Sequence, residues 1–214
     1  MKNYKIMIKL SYFILGKISI KFNVEKLKKF VDLGFIIIEK IVVKLNKLLL
    51  IYLDFNEKMI ENEINLAKIS KNDKILHIGC GSIPATSILL TKKIGANITA
   101  IDNDFYSVKQ ALVCLSKFKF LNKIQIKHAE ADTFPVDMFD LIIISQGVTP
   151  YYETLKHIAK SIKPNSRVIF RTSSTRNGNL FESDMFLKDI FIVDKILYQK
   201  QNGLLLSILL LKKS

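Results

Sequence analysis

Four short segments carry residue types that do chemistry when a fold presents them on loops. The first is Gly79-Cys80-Gly81-Ser82-Ile83-Pro84. Two glycines separated by one residue let the backbone turn tightly and approach a ligand closely. Pro84 stands where a G-x-G-x-x-G fingerprint carries its third glycine, which argues against a dinucleotide site and suits the first turn of a helix. The second is Asp102-Asn103-Asp104, with Asp102 23 residues beyond Gly79. A carboxylate at that spacing accepts hydrogen bonds from both hydroxyls of a ribose, and Asn103 stands beside it. Asp104 is placed to cap a following helix. The third is Ala129-Glu130-Ala131-Asp132, where Asp132 is either a ligand contact or a turn cap. The fourth runs from Ser145 to Glu153 and brings Gln146 and Tyr151 toward a reacting centre.

Each segment follows a run that reads as a strand. The strand candidates are Lys74–Ile78, Asn97–Ile101, Lys123–Lys127, Phe139–Ile144 and Arg167–Arg171. Helical patterns lie between them at Pro84–Lys93, Phe105–Lys117 and Tyr151–Ile162. Strands that alternate with helices imply a parallel sheet covered on both faces. In such sheets ligands bind beyond the carboxyl ends of the strands, which is where the four segments fall. Toward the C-terminus, Phe191–Gln199 and Leu204–Leu211 flank Asn202-Gly203, a strong hairpin signal. The fold class is therefore α/β: a Rossmann-like sheet of five parallel strands plus a C-terminal antiparallel hairpin. That is the strand plan of class I S-adenosylmethionine-dependent methyltransferases.

The first 72 residues form an N-terminal helical extension on this plan, and residues 73–214 form the ligand-binding domain. From Glu25 to Leu49 apolar residues recur at three-, four- and seven-residue steps, the stripe of an amphipathic helix. A second helix is expected over Phe55–Ser70. The extension reads as a cap on the core, with a basic membrane-surface helix as the alternative.

The net charge of +14 resembles a nucleic-acid signal, but its chemistry does not. Only Arg167, Arg171 and Arg176 are arginines, and the rest of the 33 basic residues are lysines. Bidentate recognition of phosphates and bases is the work of arginine. The charge is read as solvated lysine in a Lys-, Ile- and Asn-rich composition, strongest over the first fifty residues, where eleven lysines face three acids. No DNA partner is expected, and contact with RNA or a membrane surface is the weaker alternative. Cys80, Cys114, His77, His128 and His157 are scattered, so neither a disulfide framework nor a metal site is implied. No secretory signal and no apolar run of transmembrane length is visible. A cytoplasmic setting and a small-molecule substrate are expected, with homodimerisation left open.

The segment Gly79-Cys80-Gly81-Ser82-Ile83-Pro84-Ala85-Thr86-Ser87-Ile88 resembles the G-S-G-P-L-P-L-T-S-I pattern of the nicotianamine synthases and related opine-metallophore synthases. His157-Ile-Ala-Lys160 resembles their H-L-A-K, and Tyr52-Leu53-Asp54 their Y-L-D. Arg171-Thr-Ser-Ser-Thr-Arg176 stands where the family has R-S-A-H-G-A-R, without its His and Gly, and Leu180-Phe181 stands at its F-L-Y element. The resemblance covers Tyr52 to Leu211. It implies S-adenosylmethionine as cofactor, with Gly79, Cys80, Gly81, Asp102, Asn103, Asp132 and Gln146 around it. It implies transfer of the 3-amino-3-carboxypropyl group to an amine, with methyl transfer from the same sulfonium as the alternative. The family's glutamate on the helix before the first strand is best matched by Glu61, with Glu57 and Glu63 also open. Tyr52 and Tyr151 are the candidates to hold the substrate, Tyr151 nearest the chemistry, and Arg171 and Arg176 those to pair with its carboxylates.

Overall fold

The computed structural model describes residues 46–118, 122–173, 183–199 and 205–213. Its elements, in chain order, are α1 (Asn46–Ala67), β1 (Lys74–Ile78), α2 (Ala85–Ile94), β2 (Asn97–Asp102), α3 (Phe105–Ser116), β3 (Ile124–His128) and β4 (Leu141–Ile144). There follow α4 (Tyr151–Ser161), β5 (Arg167–Ser173), α5 (Ser183–Ile190), β6 (Phe191–Tyr198) and β7 (Leu205–Lys212). One seven-stranded sheet has the order β3-β2-β1-β4-β5-β7-β6. Its first five strands pair in parallel, and β7 lies antiparallel between β5 and β6.

Period-two alternation distributes each strand between two cores. Ile75, Ile98, Leu141, Ile143, Ile169 and Leu209 face one side, where Leu89 of α2 and Leu115 of α3 join them. Leu76, Ile78, Ile142, Ile144, Val168 and Leu210 face the other, under Leu155 and Ile158 of α4. Because both faces are covered, β4 reads as an unbroken apolar run, Leu-Ile-Ile-Ile, with every residue buried.

Two differences from the expected elements concern helices. The stretch from Asn46 to Ala67 is one helix, where the sequence suggested a break between Leu49 and Phe55. No Gly or Pro interrupts it, and its buried residues Leu49, Leu53, Ile60 and Ala67 keep helical spacing and enter the core of the sheet's α2 face. The described part of the extension therefore shares a core with the α/β unit. The helix α5 was not expected. The remainder of the stripe before Asn46 and the Asn202-Gly203 turn lie outside the described residues.

Loop geometry follows local chemistry. Asp104 caps α3 as its sequence position suggested, accepting from the backbone N–H groups of Tyr106 and Ser107. Gly95 closes α2 in the left-handed conformation and donates to the Thr91 carbonyl. Arg167 of β5 donates to the Ala67 and Lys68 carbonyls at the end of α1 and pairs with Asp73 at 2.6 Å. Among the described residues no helix is long and apolar enough to cross a membrane.

Candidate active site

The loops after β1, β2, β3 and β4 converge on one cleft of about 560 Å³ at the carboxyl ends of the parallel strands. Chain order reverses direction at β1, whose neighbours are β2 and β4, and the cleft lies at this switch point of the sheet. The volume is in the range of small-molecule sites.

The β1–α2 loop forms the floor. Gly79 and Gly81 have φ of 74° and 64°, the left-handed region that side chains rarely adopt. A Cβ on Gly79 would lie 2.5 Å from Cγ2 of Val148 in the β4–α4 loop, so the absent side chain is what lets the two loops meet. The backbone N–H groups of Gly79 and Cys80 both donate to the Ile101 carbonyl, at 2.9 and 3.1 Å. The Gly81 N–H donates to Oδ2 of Asp102 at 2.8 Å, and the Asp104 N–H to its Oδ1 at 3.0 Å. Asp102 thus ties the two loops and still borders the cleft. Burial pushes its carboxyl above the usual range, and the two backbone donors oppose that shift.

One wall carries Asn103, Ala129, Glu130 and Ala131, with the Asn103 amide 3.3 Å from Glu130. The opposite wall carries Ser145, Gln146 and Gly147. Toward α1 the cleft is closed by Tyr52, Asn56 and Met59 together with Thr86, Arg171 and Leu205. His77 lies beneath, its Nδ1 2.9 Å from the Ser87 hydroxyl and its Nε2 2.9 Å from that of Ser145. Burial, helped by the Arg171 charge, lowers its pKa to about 3, so the imidazole is neutral near neutral pH.

The structure sorts the residues picked from the sequence. Gly79, Cys80, Gly81, Asp102, Asn103, Gln146, Tyr52 and Arg171 all border the cleft. Asp132, Tyr151 and Glu61 do not. The acid that enters the cleft after β3 is Glu130, two residues before Asp132. Tyr151, at the start of α4, packs its ring on Tyr152 and Phe170, with centroids 4.1 and 6.3 Å apart. Glu61 lies on the surface of α1, where Lys93 bridges it and Glu57 at 2.9 and 2.7 Å; the Lys93 and Lys58 hydrogen bonds hold its carboxyl below the usual range. Arg176 lies outside the described residues. The sequence reading missed His77, Thr86 and Asn56 at the cleft and left Glu63 unresolved. Thr86 lay inside the matched motif, two residues after Pro84, and was passed over there. Among the described residues no group of three or more His, Cys, Asp or Glu side chains is arranged to hold a metal.

Comparison with known proteins agrees with this fold. Residues 76–170 match the family model of a methyltransferase domain. A curated relative, the L-histidine 2-aminobutanoyltransferase of Yersinia pestis, is 25% identical over 126 residues, which are 56% of this chain and 45% of that one. The chain thus spans less than half the length of that relative. Among solved structures, MtNAS in complex with S-adenosylmethionine, as a glutamate-to-glutamine mutant, superposes with a TM-score of 0.73 at 14% identity, covering 88% of this chain and 76% of that one. A structure described as a putative S-adenosyl-L-methionine-dependent methyltransferase from Methanococcus maripaludis superposes with a TM-score of 0.64 at 17% identity, covering 82% and 92%. The fold is that of the Rossmann-like methyltransferases.

Proposed function

We propose that the protein is an S-adenosylmethionine-dependent transferase that moves the 3-amino-3-carboxypropyl group of the cofactor onto the amine of a small acceptor such as an amino acid. One observation carries the reading: the glycine-rich loop after β1, Asp102 after β2 and the Ser145–Thr149 loop after β4 border a single cleft, which α1 closes with Tyr52, Asn56 and Met59. The cleft fits an adenosyl ligand. Gly79 and Gly81, both in the left-handed region, shape the floor from backbone, and Asp102 keeps lone pairs for ribose hydroxyls beyond its two backbone bonds. The curated relative named for 2-aminobutanoyl transfer and the superposition on MtNAS, a nicotianamine synthase, support the choice of group transferred.

When bound, the cofactor supplies a sulfonium centre that gives up one of its carbons to a nucleophile. The chain's part is positional: whichever carbon faces the nucleophile reacts. The walls at Asn103–Glu130 and Ser145–Gly147 hold the nucleoside end. The α1 side, with Tyr52, Asn56, Thr86 and Arg171, orients the acceptor. A neutral acceptor amine is required. In this reading Glu61 is a member of a surface ion-pair cluster rather than the base, because it lies outside the cleft and its pairs with Lys93 and Lys58 make it a weaker proton acceptor.

Methyl transfer is the second reading, favoured by the methyltransferase-domain match over residues 76–170. Incubation with S-adenosylmethionine and L-histidine, then with pooled amino acids, separates the two by mass spectrometry of the nucleoside product. Methylthioadenosine supports aminocarboxypropyl transfer. S-adenosylhomocysteine overturns it in favour of methyl transfer.

A further inference from the structure

A fully buried carboxylate lies behind the α1 side of the cleft. Glu63 has no exposed surface. Its Oε1 accepts from Nε of Arg171 at 2.8 Å and from the Ser207 hydroxyl at 2.7 Å, and its Oε2 accepts from Nη2 of Arg171 at 2.7 Å. Nη1 of Arg171 donates to Oγ1 of Thr86 at 2.9 Å. The Ser207 hydroxyl in turn accepts from the Gln199 amide at 3.0 Å, and the Gln199 carbonyl oxygen accepts from the Asn62 amide at 3.0 Å. One chain of hydrogen bonds therefore joins α1, β7, β5 and the first turn of α2 to the residue just after β6.

We propose that Glu63 is a positioning residue that fixes how α1 presents its acceptor wall to the cleft. Tyr52, Asn56, Met59 and Glu63 are spaced by four, three and four residues, so they share one stripe of the helix. Three of them border the cleft, and the fourth is anchored to Arg171, which itself borders the cleft. Rotating or sliding α1 would move all three wall residues together, and the carboxylate–guanidinium fork resists both because its two bonds are parallel and directional. The fork also sets the charge of the wall. Arg171 is balanced by Glu63, and the neighbouring imidazole is neutral. Arg171 thus keeps two guanidinium N–H groups beyond these bonds, on a residue that borders the cleft without an unbalanced charge. None of these contacts touches the Gly79–Gly81 loop or Asp102, so cofactor binding is separable from acceptor presentation.

The inference rests on the proposed transferase reading, and its test is built to tell the two apart. Wild type, Glu63→Gln, Glu63→Asp and Ser207→Ala are compared by calorimetry with S-adenosylmethionine, by turnover with S-adenosylmethionine and L-histidine, and by amide hydrogen exchange across residues 46–67. Ser207→Ala removes one bond to Glu63 and keeps the ion pair, so it reports even where Glu63→Gln fails to fold. The expected result is cofactor affinity within about threefold of wild type, turnover down at least about tenfold in Glu63→Gln and less in Glu63→Asp, and faster exchange confined to α1. Wild-type turnover in Glu63→Gln, or unchanged α1 exchange in both Glu63→Gln and Ser207→Ala, overturns the positioning role. Equal loss of cofactor affinity and turnover also overturns it, as the mark of a general structural defect. Exchange is read without any ligand, so a wild-type protein that ignores S-adenosylmethionine refutes the transferase reading while α1 still reports on Glu63.

Discussion

One buried side chain, His77, predicts a loss of stability on acidification. In the unfolded chain His77 takes up a proton near its ordinary value of 6.5, whereas in the folded protein burial holds it neutral down to about 3. A folded pKa below the unfolded one means that the unfolded state binds more protons across that window. Stability is therefore intact above 6.5, falls as pH drops, and stops falling through this group only below about 3. The slope approaches 1.4 kcal/mol per pH unit, so lowering the pH from about 7 to about 5 removes about 2 kcal/mol. That is a large part of the ~5–15 kcal/mol that holds a typical domain folded. His77→Gln keeps a donor and an acceptor for Ser87 and Ser145 and removes the titration. Urea unfolding of both proteins at several pH values isolates the effect, because His128, His157 and the carboxylates are common to both. The expected outcome is a stability difference that shifts in favour of His77→Gln by about 2 kcal/mol across that range. Parallel pH profiles for the two proteins would show that His77 protonates without cost, and the neutral-imidazole description of the cleft floor would fall.

Three other perturbations probe separate parts of the site. Gly79→Ala combines a left-handed φ, worth about 1–2 kcal/mol against a side chain, with a 2.5 Å approach to Val148. S-adenosylmethionine affinity should fall at least about tenfold by calorimetry, and adding Val148→Ala should recover only the part due to the clash. Asp102→Ala should cost about ten- to a hundredfold in cofactor affinity, the loss of one or two hydrogen bonds to a charged group. Because the Asp102 carboxyl is raised by burial, wild-type affinity should decline on acidification at a higher pH than an ordinary aspartate would dictate, and in Asp102→Asn that decline should vanish. Arg167→Met leaves the Ala67 and Lys68 carbonyls and Asp73 without their partner, at a cost of about 1–3 kcal/mol in urea unfolding with cofactor affinity unchanged.

The sheet was legible because its information is local. Each parallel strand is an apolar run bounded by turn residues, and each loop begins where that run stops. The glycines after β1 and the acid after β2 announce themselves at fixed spacing. The break expected between Leu49 and Phe55 was an error of the same local kind: the run Leu50-Ile51-Tyr52-Leu53-Asp54 blurs the helical stripe without interrupting the helix, which is set by burial of Leu49, Leu53 and Ile60 on the sheet. The helix α5 is short and follows Leu180-Phe181 in a stretch that carried no assignment from the sequence.

His77 beneath the cleft and the α1 side of the cleft were much less legible, for a physical reason. Glu57, Glu61 and Glu63 sit within seven residues on one helix, and nothing in their local sequence separates them. Helix geometry turns Glu57 and Glu61 toward Lys93 at the surface, four residues apart on one face, and turns Glu63 inward. Whether an inward glutamate is tolerable depends on Arg171, 108 residues away, because an unpaired buried carboxylate is prohibitively costly. The converse also holds, so the arginine chosen from sequence as a partner for substrate carboxylates already has a carboxylate partner inside the protein. Pairing across the sheet, not residue type, decides which glutamate is structural and which is solvated. His77 follows the same logic. Its place in an apolar strand suggests nothing polar, and its role emerges only when α2 and β4 bring Ser87 and Ser145 to its two nitrogens. Residues that build the proposed cofactor half of the cleft lie next to the strand ends that carry them. Those that build the proposed acceptor half are defined by partners distant in sequence, so variation among related chains at positions 52, 56, 63 and 171 should track the acceptor while the glycine loop stays constant.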